Sequence, residues 1–265
     1  MAPQIEAIDA TLGAILTDID LARMHPSDWE VVDTAFNNFA LLVFPSQFLS
    51  PEAQVSFSNH FGEIEMLRGA DGGKAVPISN QKSDGTILKV DDEEDKHRFM
   101  TLRGNEGWHM DSTYMPLAAK AGVLSAKVVP SSGGETEFAD MRAAYDELDK
   151  TTKNKISKLS AFHSLYQSQA KNGYEVKTGM GYGYHTKGAP LRPLIKKHPT
   201  TGRNALCIGR HAYKIPDMDD QEANELLDTL LENACQQPRL YKHSWAPGDL
   251  VIWDNRCVLH RACPY

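Results

Sequence analysis

The sequence predicts an α+β fold, mainly β, built as one domain over residues 1–265 with helices flanking the strands. Three observations carry that expectation. Hydrophobic residues make up 41% of the chain, enough for a sizeable core, and β-rich chains of this length often form one domain. After residue 120, short apolar runs alternate with Pro and Gly turns. Capped helical patterns stand in the opening third and again between the later strands.

Taken in order, Ser27-Asp28-Trp29-Glu30 reads as a capping box, whose Ser and Glu side chains can satisfy orphan amides of a helix running to about Phe39. Ala40 to Phe44 reads as a fully buried strand. Ser50-Pro51 predicts a second helix, with Ser as N-cap, Pro at the first helical position and Gly62 as its end. From Gly69 to about Gly107 the pattern weakens, and the charged run Asp91 to Lys96 admits two readings, a solvated loop or a lid. Val123 to Val129 predicts a strand closed by Pro130-Ser-Ser-Gly-Gly134, with another at Thr136 to Phe138. Helices follow from Asp140 and over Thr151 to Leu159, and strands recur at Phe162 to Tyr166, Leu194 to His198 and Ala205 to Gly209. Ala223, Leu226, Leu227, Leu230, Leu231 and Ala234 mark one apolar helix face. Leu240 to Trp245, the Pro247-Gly248 turn and Leu250 to Trp253 predict a hairpin leading to His260.

Composition narrows the partners. A formal charge of −7 and a pI near 5.8 argue against nucleic acid, because phosphate binding needs concentrated Lys and Arg. No run is long enough for a membrane span, and the N-terminus lacks the basic and apolar regions of a signal peptide. A cytoplasmic protein with a small-molecule substrate is expected, its oligomeric state open, a homo-oligomer included. Four cysteines without a Cys-x-x-Cys pair point to reduced thiols rather than a zinc ribbon.

The chemistry-bearing pattern is His109-Met110-Asp111, two ligand types spaced so that an extended strand turns both to one face. His260, beyond the apolar strand Leu250 to Trp253, can supply a third donor. Two His and one carboxylate bound facially leave open positions, the arrangement of Fe(II) sites that take a bidentate cosubstrate and O₂. The same donors can hold Zn²⁺ in a hydrolase, or a metal in a protein without turnover. The tripeptide alone is a weak signal.

Its context is specific. Trp108-His109-Met110-Asp111-Ser112-Thr113-Tyr114, the turn Gly133-Gly134-Glu135-Thr136, and Pro247-Gly248-Asp249-Leu250 through Trp253-Asp254-Asn255-Arg256 to His260-Arg261-Ala262 resemble the taurine dioxygenase family of Fe(II)/2-oxoglutarate oxygenases. Phe138 to Tyr145, Ile78-Ser-Asn80 and Ile208-Gly-Arg-His211 look most like the aryloxyalkanoate (phenoxypropionate) dioxygenases within it. The resemblance implies a double-stranded β-helix, or jelly roll, with Fe(II) on His109, Asp111 and His260 and with 2-oxoglutarate and O₂ consumed. It implies that Thr136 contacts a 2-oxoglutarate carboxylate, and that Asn80 and Tyr213 face substrate. Asp254, Asn255 and Arg256 are expected to support the ligands. An arginine for the far carboxylate of 2-oxoglutarate is expected one strand past His260, beyond Tyr265, so that the final strand is missing from these 265 residues.

An anionic substrate, aryloxyalkanoate-like or else an alkyl sulfonate or sulfate, needs a cation or amide. Arg103, Arg210, Lys82 and Arg68 are the candidates, Arg103 for its place six residues before His109. His60, His163, His198, His211 and His243 are expected to be structural imidazoles. Asp111 favours hydroxylation over halogenation, since halogenases of this architecture resemble enzymes with a small residue there.

Overall fold

Two apolar runs legible in the sequence, Leu41 to Phe44 and Leu250 to Trp253, pair as neighbouring strands at the centre of the molecule. The architecture comes from a computed structural model that describes residues 3–66, 74–179 and 182–265. Its strands and helices begin with β1 (Gln4–Ala7), β2 (Ala14–Thr17), α1 (Pro26–Phe39), β3 (Leu41–Phe44), α2 (Pro51–Ser58) and α3 (Glu93–Gly104). The middle holds β4 (Ala121–Ser125), β5 (Thr136–Asp140), α4 (Met141–Glu147), α5 (Lys150–Ile156), β6 (Ser160–His163) and α6 (Leu165–Lys171). It continues through β7 (Leu191–Pro193), β8 (Ile195–Lys197), β9 (Asn204–Leu206), β10 (Ala212–Tyr213) and α7 (Asp220–Ala234), and ends with β11 (Leu240–His243), β12 (Leu250–Asp254) and β13 (Val258–Ala262).

A five-stranded sheet runs β1-β2-β3-β12-β4, and a three-stranded antiparallel sheet runs β11-β5-β13. Two smaller sheets, β10-β6-β7 and β8-β9, complete the β structure. Strand β12 lies between β3 and β4, and every residue of β3 and β12 is buried. Alternation along those strands therefore separates two cores instead of core from solvent. Leu42, Phe44, Leu250 and Ile252 face a cluster with Phe36 of α1 and Phe57 of α2, while Leu41, Val43, Val251 and Trp253 join a cluster with Phe138 and Leu259. The second cluster is the one that backs the functional site.

Opposite Trp253 stands Gly122, and a Cβ there would come within 2.1 Å of the indole, so this cross-strand pair admits only glycine without displacement of the ring. Helix α4 is tied to α1 by Arg142, which pairs bidentately with Asp140 (2.9 and 3.0 Å) and donates to the Asn38 and Phe39 carbonyls at the α1 C-terminus. Both charged side chains are almost fully buried.

Several expectations change. Helix α1 begins two residues earlier, with His25 instead of Ser27 as its N-cap and Asp28 completing the capping box. From Glu93 the charged run is helical rather than an irregular loop: Asp92 caps α3, and Glu93, Glu94 and Asp95 fill its first turn, where acidic charge meets the positive end of the helix dipole. The strand expected over Val123 to Val129 is β4, which starts at Ala121 and stops at Ser125. The strand expected over Phe162 to Tyr166 is split, since Ser164 caps α6 and ends β6 at His163. The expected late hairpin does not form: β11 pairs with β5 and β12 with β3 and β4, in different sheets. No described helix is long and apolar enough to cross a membrane.

Candidate metal centre

His109 and His260 face each other across an isolated antiparallel bridge. Each backbone N–H donates to the other's carbonyl, at 3.0 and 2.9 Å, so both Cβ atoms leave the same face and the rings lie 4.1 Å apart. Asp111 follows two residues later on that face, and its Oδ1 lies 3.8 Å from His109 Nε2 and 3.7 Å from His260 Nε2. One donor atom from each of the three falls within 4.8 Å of the others. Gly209, at φ +117°, lets its segment approach the His109 backbone; a Cβ there would meet the Trp108 carbonyl at 2.9 Å.

Burial and neighbouring charge set the protonation states. Burial pushes His109 and His260 down to about 3, so both rings are neutral with lone pairs available. His109 Nδ1–H donates to the Gly107 carbonyl at 2.8 Å, leaving Nε2 unprotonated toward Asp111. Desolvation raises Asp111 above the usual carboxylate range, with His109 offsetting part of the effect. No lysine or arginine pairs with Asp111 among the described residues, and a cation between the three donors would reverse that shift. Its side chain is 40% exposed against 7% and 10% for the imidazoles, so the open side lies at the carboxylate. A neutral-imidazole pair facing an uncompensated carboxylate fits a divalent metal, with room for exchangeable ligands.

A second cluster, His198, Asp254 and Cys257, has similar spacing but different chemistry. Thr201 N–H donates to His198 Nδ1, so Nε2 carries the proton and donates to Asp254 at 2.8 Å. Arg256 binds the same carboxylate through two nitrogens, at 2.7 and 2.6 Å. These donors satisfy one another, and no lone pair is left for a metal on that imidazole. Asp254 and Arg256 thus contact neither site imidazole, contrary to expectation, whereas Asn255 does reach the site through the Asp111 backbone.

Around the donors, Trp253 packs 4.5 Å from His260, and His211 stands edge-on to both His109 and Tyr114. Thr136 lies on β5 opposite Ala262, on the face that carries His260. Trp245 Nε1–H donates to Thr136 Oγ1 at 2.9 Å, which leaves the hydroxyl hydrogen free to point elsewhere. Sequence reasoning missed Trp245, although a tryptophan beside a buried hydroxyl signals an indole seeking an acceptor. It also missed a clasp next to Asp111: Ser112, at φ +56°, donates to Glu65 at 2.8 Å, and Tyr182 donates to the same carboxylate.

The expected substrate contacts fare unevenly. Asn80 is half-buried in a bend rather than a strand, its carbonyl taken by Leu88 N–H. Tyr213 is half-buried on β10 against Phe162. Arg103 is exposed in the last turn of α3, where its charge meets the C-terminal carbonyls. Arg210 is a brace: its guanidinium donates to the Gly104 and Ser168 carbonyls and to Gln169. Lys82 is paired with Asp95 at 2.9 Å, and Arg68 lies outside the described residues. Arg261 turns outward to Glu137 and over the Trp108 ring.

Of the imidazoles expected to be structural, His60, His198, His211 and His243 have hydrogen-bond partners. His163 has none at either nitrogen among the described residues, and burial pushes it down to about 3. The unfolded chain takes up this proton near 6.5, so the penalty is absent at neutral pH and grows as pH falls below that value. His163→Leu should therefore be the more stable form in acid, with its advantage over wild type growing by about 2 kcal/mol from about pH 7 to about pH 5. Urea unfolding of the two proteins at both pH values measures the difference.

Known proteins resemble this chain along nearly its whole length. The taurine catabolism dioxygenase TauD, TfdA family matches residues 4–265. The chain belongs to the TauD, TfdA family. It is 48% identical to the (S)-phenoxypropionate/alpha-ketoglutarate-dioxygenase of Sphingobium herbicidovorans, over 98% of this chain and 89% of that protein. It is 36% identical to the alpha-ketoglutarate-dependent 2,4-dichlorophenoxyacetate dioxygenase of Cupriavidus pinatubonensis, over 94% and 88%. Among solved structures, AAD-2 in complex with Mn(II) and N-oxalylglycine superposes with a TM-score of 0.87 at 35% identity, covering 100% of this chain and 92% of that one.

Proposed function

We propose that this chain is an Fe(II)- and 2-oxoglutarate-dependent dioxygenase that hydroxylates a small anionic substrate, an aryloxyalkanoate first and an alkyl sulfonate or sulfate second. The observation that carries the reading is the approach of two neutral imidazole Nε2 atoms to one Asp111 oxygen. Relatives named for (S)-phenoxypropionate and 2,4-dichlorophenoxyacetate support the substrate class, and those named for sulfonates and alkyl sulfates support the second. In this reading the five-stranded and β11-β5-β13 sheets are the two walls of a jelly roll.

His109, Asp111 and His260 would hold iron on one face. Bound there, the metal supplies the coupling of O₂ reduction to oxidative decarboxylation of 2-oxoglutarate, so that substrate C–H becomes C–OH while succinate and CO₂ leave. Gly107 fixes the His109 tautomer, and the bridge to His260 fixes the separation of the rings. Thr136, its oxygen already accepting from Trp245, donates its hydroxyl hydrogen to a cosubstrate carboxylate. Tyr114 and His211 form an aromatic wall beside the metal ligands, suited to an aryl ring, with Asn80 and Tyr213 as neutral donors for the substrate's anionic end.

Succinate formation tests the proposal, measured aerobically with Fe(II), 2-oxoglutarate and a panel of phenoxypropionates, phenoxyacetates, alkyl sulfonates and alkyl sulfates. Substrate-stimulated succinate with a phenoxyalkanoate is the expected result. Product formation without O₂ would instead favour zinc hydrolysis, and no succinate above a no-enzyme control would overturn the reading.

A further inference from the structure

The carboxylate donor stands where regular structure stops. Residues 111–120 form turns and bends without ladder partners, and an unsupported segment of that kind would let Asp111 wander. Side chains from elsewhere replace the ladder. Arg192 donates to the carbonyls of Thr113 and Met115, and His185 Nε2–H donates to that of Tyr114. At Asp111 itself the partner is Asn255, 2% exposed, whose Oδ1 accepts from Asp111 N–H at 2.7 Å and whose Nδ2 donates to Asp111 C=O at 2.8 Å. The same Nδ2 donates to Ala119 C=O at 3.1 Å, and the Asn255 backbone N–H donates to Lys120 C=O at 3.0 Å. One residue thus grips both ends of the segment.

We infer that Asn255 is the positioning residue for the Asp111 carboxylate and thereby sets the metal affinity of the site. The inference rests on His109, Asp111 and His260 being the metal ligands. The two imidazoles are fixed by their own backbone bridge, but among the described residues the Asp111 carboxylate makes no hydrogen bond that would hold it. Anchoring the N–H and C=O on either side of its Cα fixes the direction of its Cα–Cβ bond, which only a group with both a donor and an acceptor can do. Asparagine is suited to that task and aspartate is not, because a second oxygen in place of Nδ2 would face the carbonyls of Asp111 and Ala119. Asn255 also occupies the turn between β12 and β13, so the strand bearing His260 and the segment bearing Asp111 are held in one register.

The test is metal titration of full-length apoprotein, prepared with a chelator, using Mn(II) by calorimetry and Co(II) by its visible absorption. Asn255→Ala and the near-isosteric Asn255→Asp should each raise the metal Kd by about 10- to 100-fold, the range for groups that orient ligands. The Co(II) bands should change in intensity as the carboxylate moves. At saturating metal, KM for 2-oxoglutarate should stay near the wild-type value. A folded Asn255→Asp protein with wild-type Kd and Co(II) bands, even with a lowered Tm, would overturn the inference and leave the metal site standing. Wild-type apoprotein that binds neither ion would overturn the metal reading and the inference together.

Discussion

Asp111→Ala is expected to reduce divalent-metal affinity by more than about 100-fold, beyond the range for groups that merely orient ligands, and to bring succinate formation to the no-enzyme background. In the proposed metal site Asp111 is the anionic donor, and its partners are two imidazoles that burial keeps neutral. Without it a dication would enter a desolvated pocket with no charge to offset it. The apoprotein should be no less stable than wild type, to within about 1 kcal/mol, because the carboxylate makes no hydrogen bond among the described residues and desolvation already disfavours its charge. Calorimetry with Mn(II), succinate assay and urea unfolding of the apo forms check the three parts. Retained turnover would remove Asp111 from the metal set.

The second large effect concerns stability. Arg142→Ala should cost about 3–5 kcal/mol, the usual penalty for removing one partner of a buried ion pair. Asp140 would keep the amides of Arg142 and Ala143 that it accepts as an N-cap, but would lose its bidentate cation in a buried site. The Asn38 and Phe39 carbonyls at the end of α1 would lose their donors as well. Against a typical total of about 5–15 kcal/mol, such a loss is visible as a large drop in the urea midpoint. Arg142→Lys should fall between the two, since an ammonium restores charge but not the planar fork. A loss under about 1 kcal/mol for the alanine variant would mean that the pair is mostly compensated elsewhere.

What the sequence made legible was whatever burial writes into composition. Strands β3 and β12 are apolar throughout because both their faces are covered, and α7 shows its buried Ala223, Leu227, Leu230 and Ala234 at helical spacing. The caps at Ser50 and Asp140 were readable for the same local reason. Strand β1 was not, since all four of its residues are exposed and leave no alternation to detect. Helix α3 was missed because its charged sequence buries little more than Asp95 and Gly104. The false hairpin arose because strand partnership is a tertiary property: the Pro247-Gly248 turn reads the same whether the flanking strands pair with each other or part into two sheets. At the centre, motif and spacing brought out His109, Asp111 and His260, while the role of Asn255 needed the fold, because it lies 144 residues from the backbone it holds.

The reciprocal bridge between His109 and His260 also bears on folding. Side chains alternate along a strand, so docking β13 one position out of place would swing the His260 ring to the opposite side, away from His109 and Asp111. If His109, Asp111 and His260 hold the metal as proposed, only molecules with β13 docked in this register would bind it.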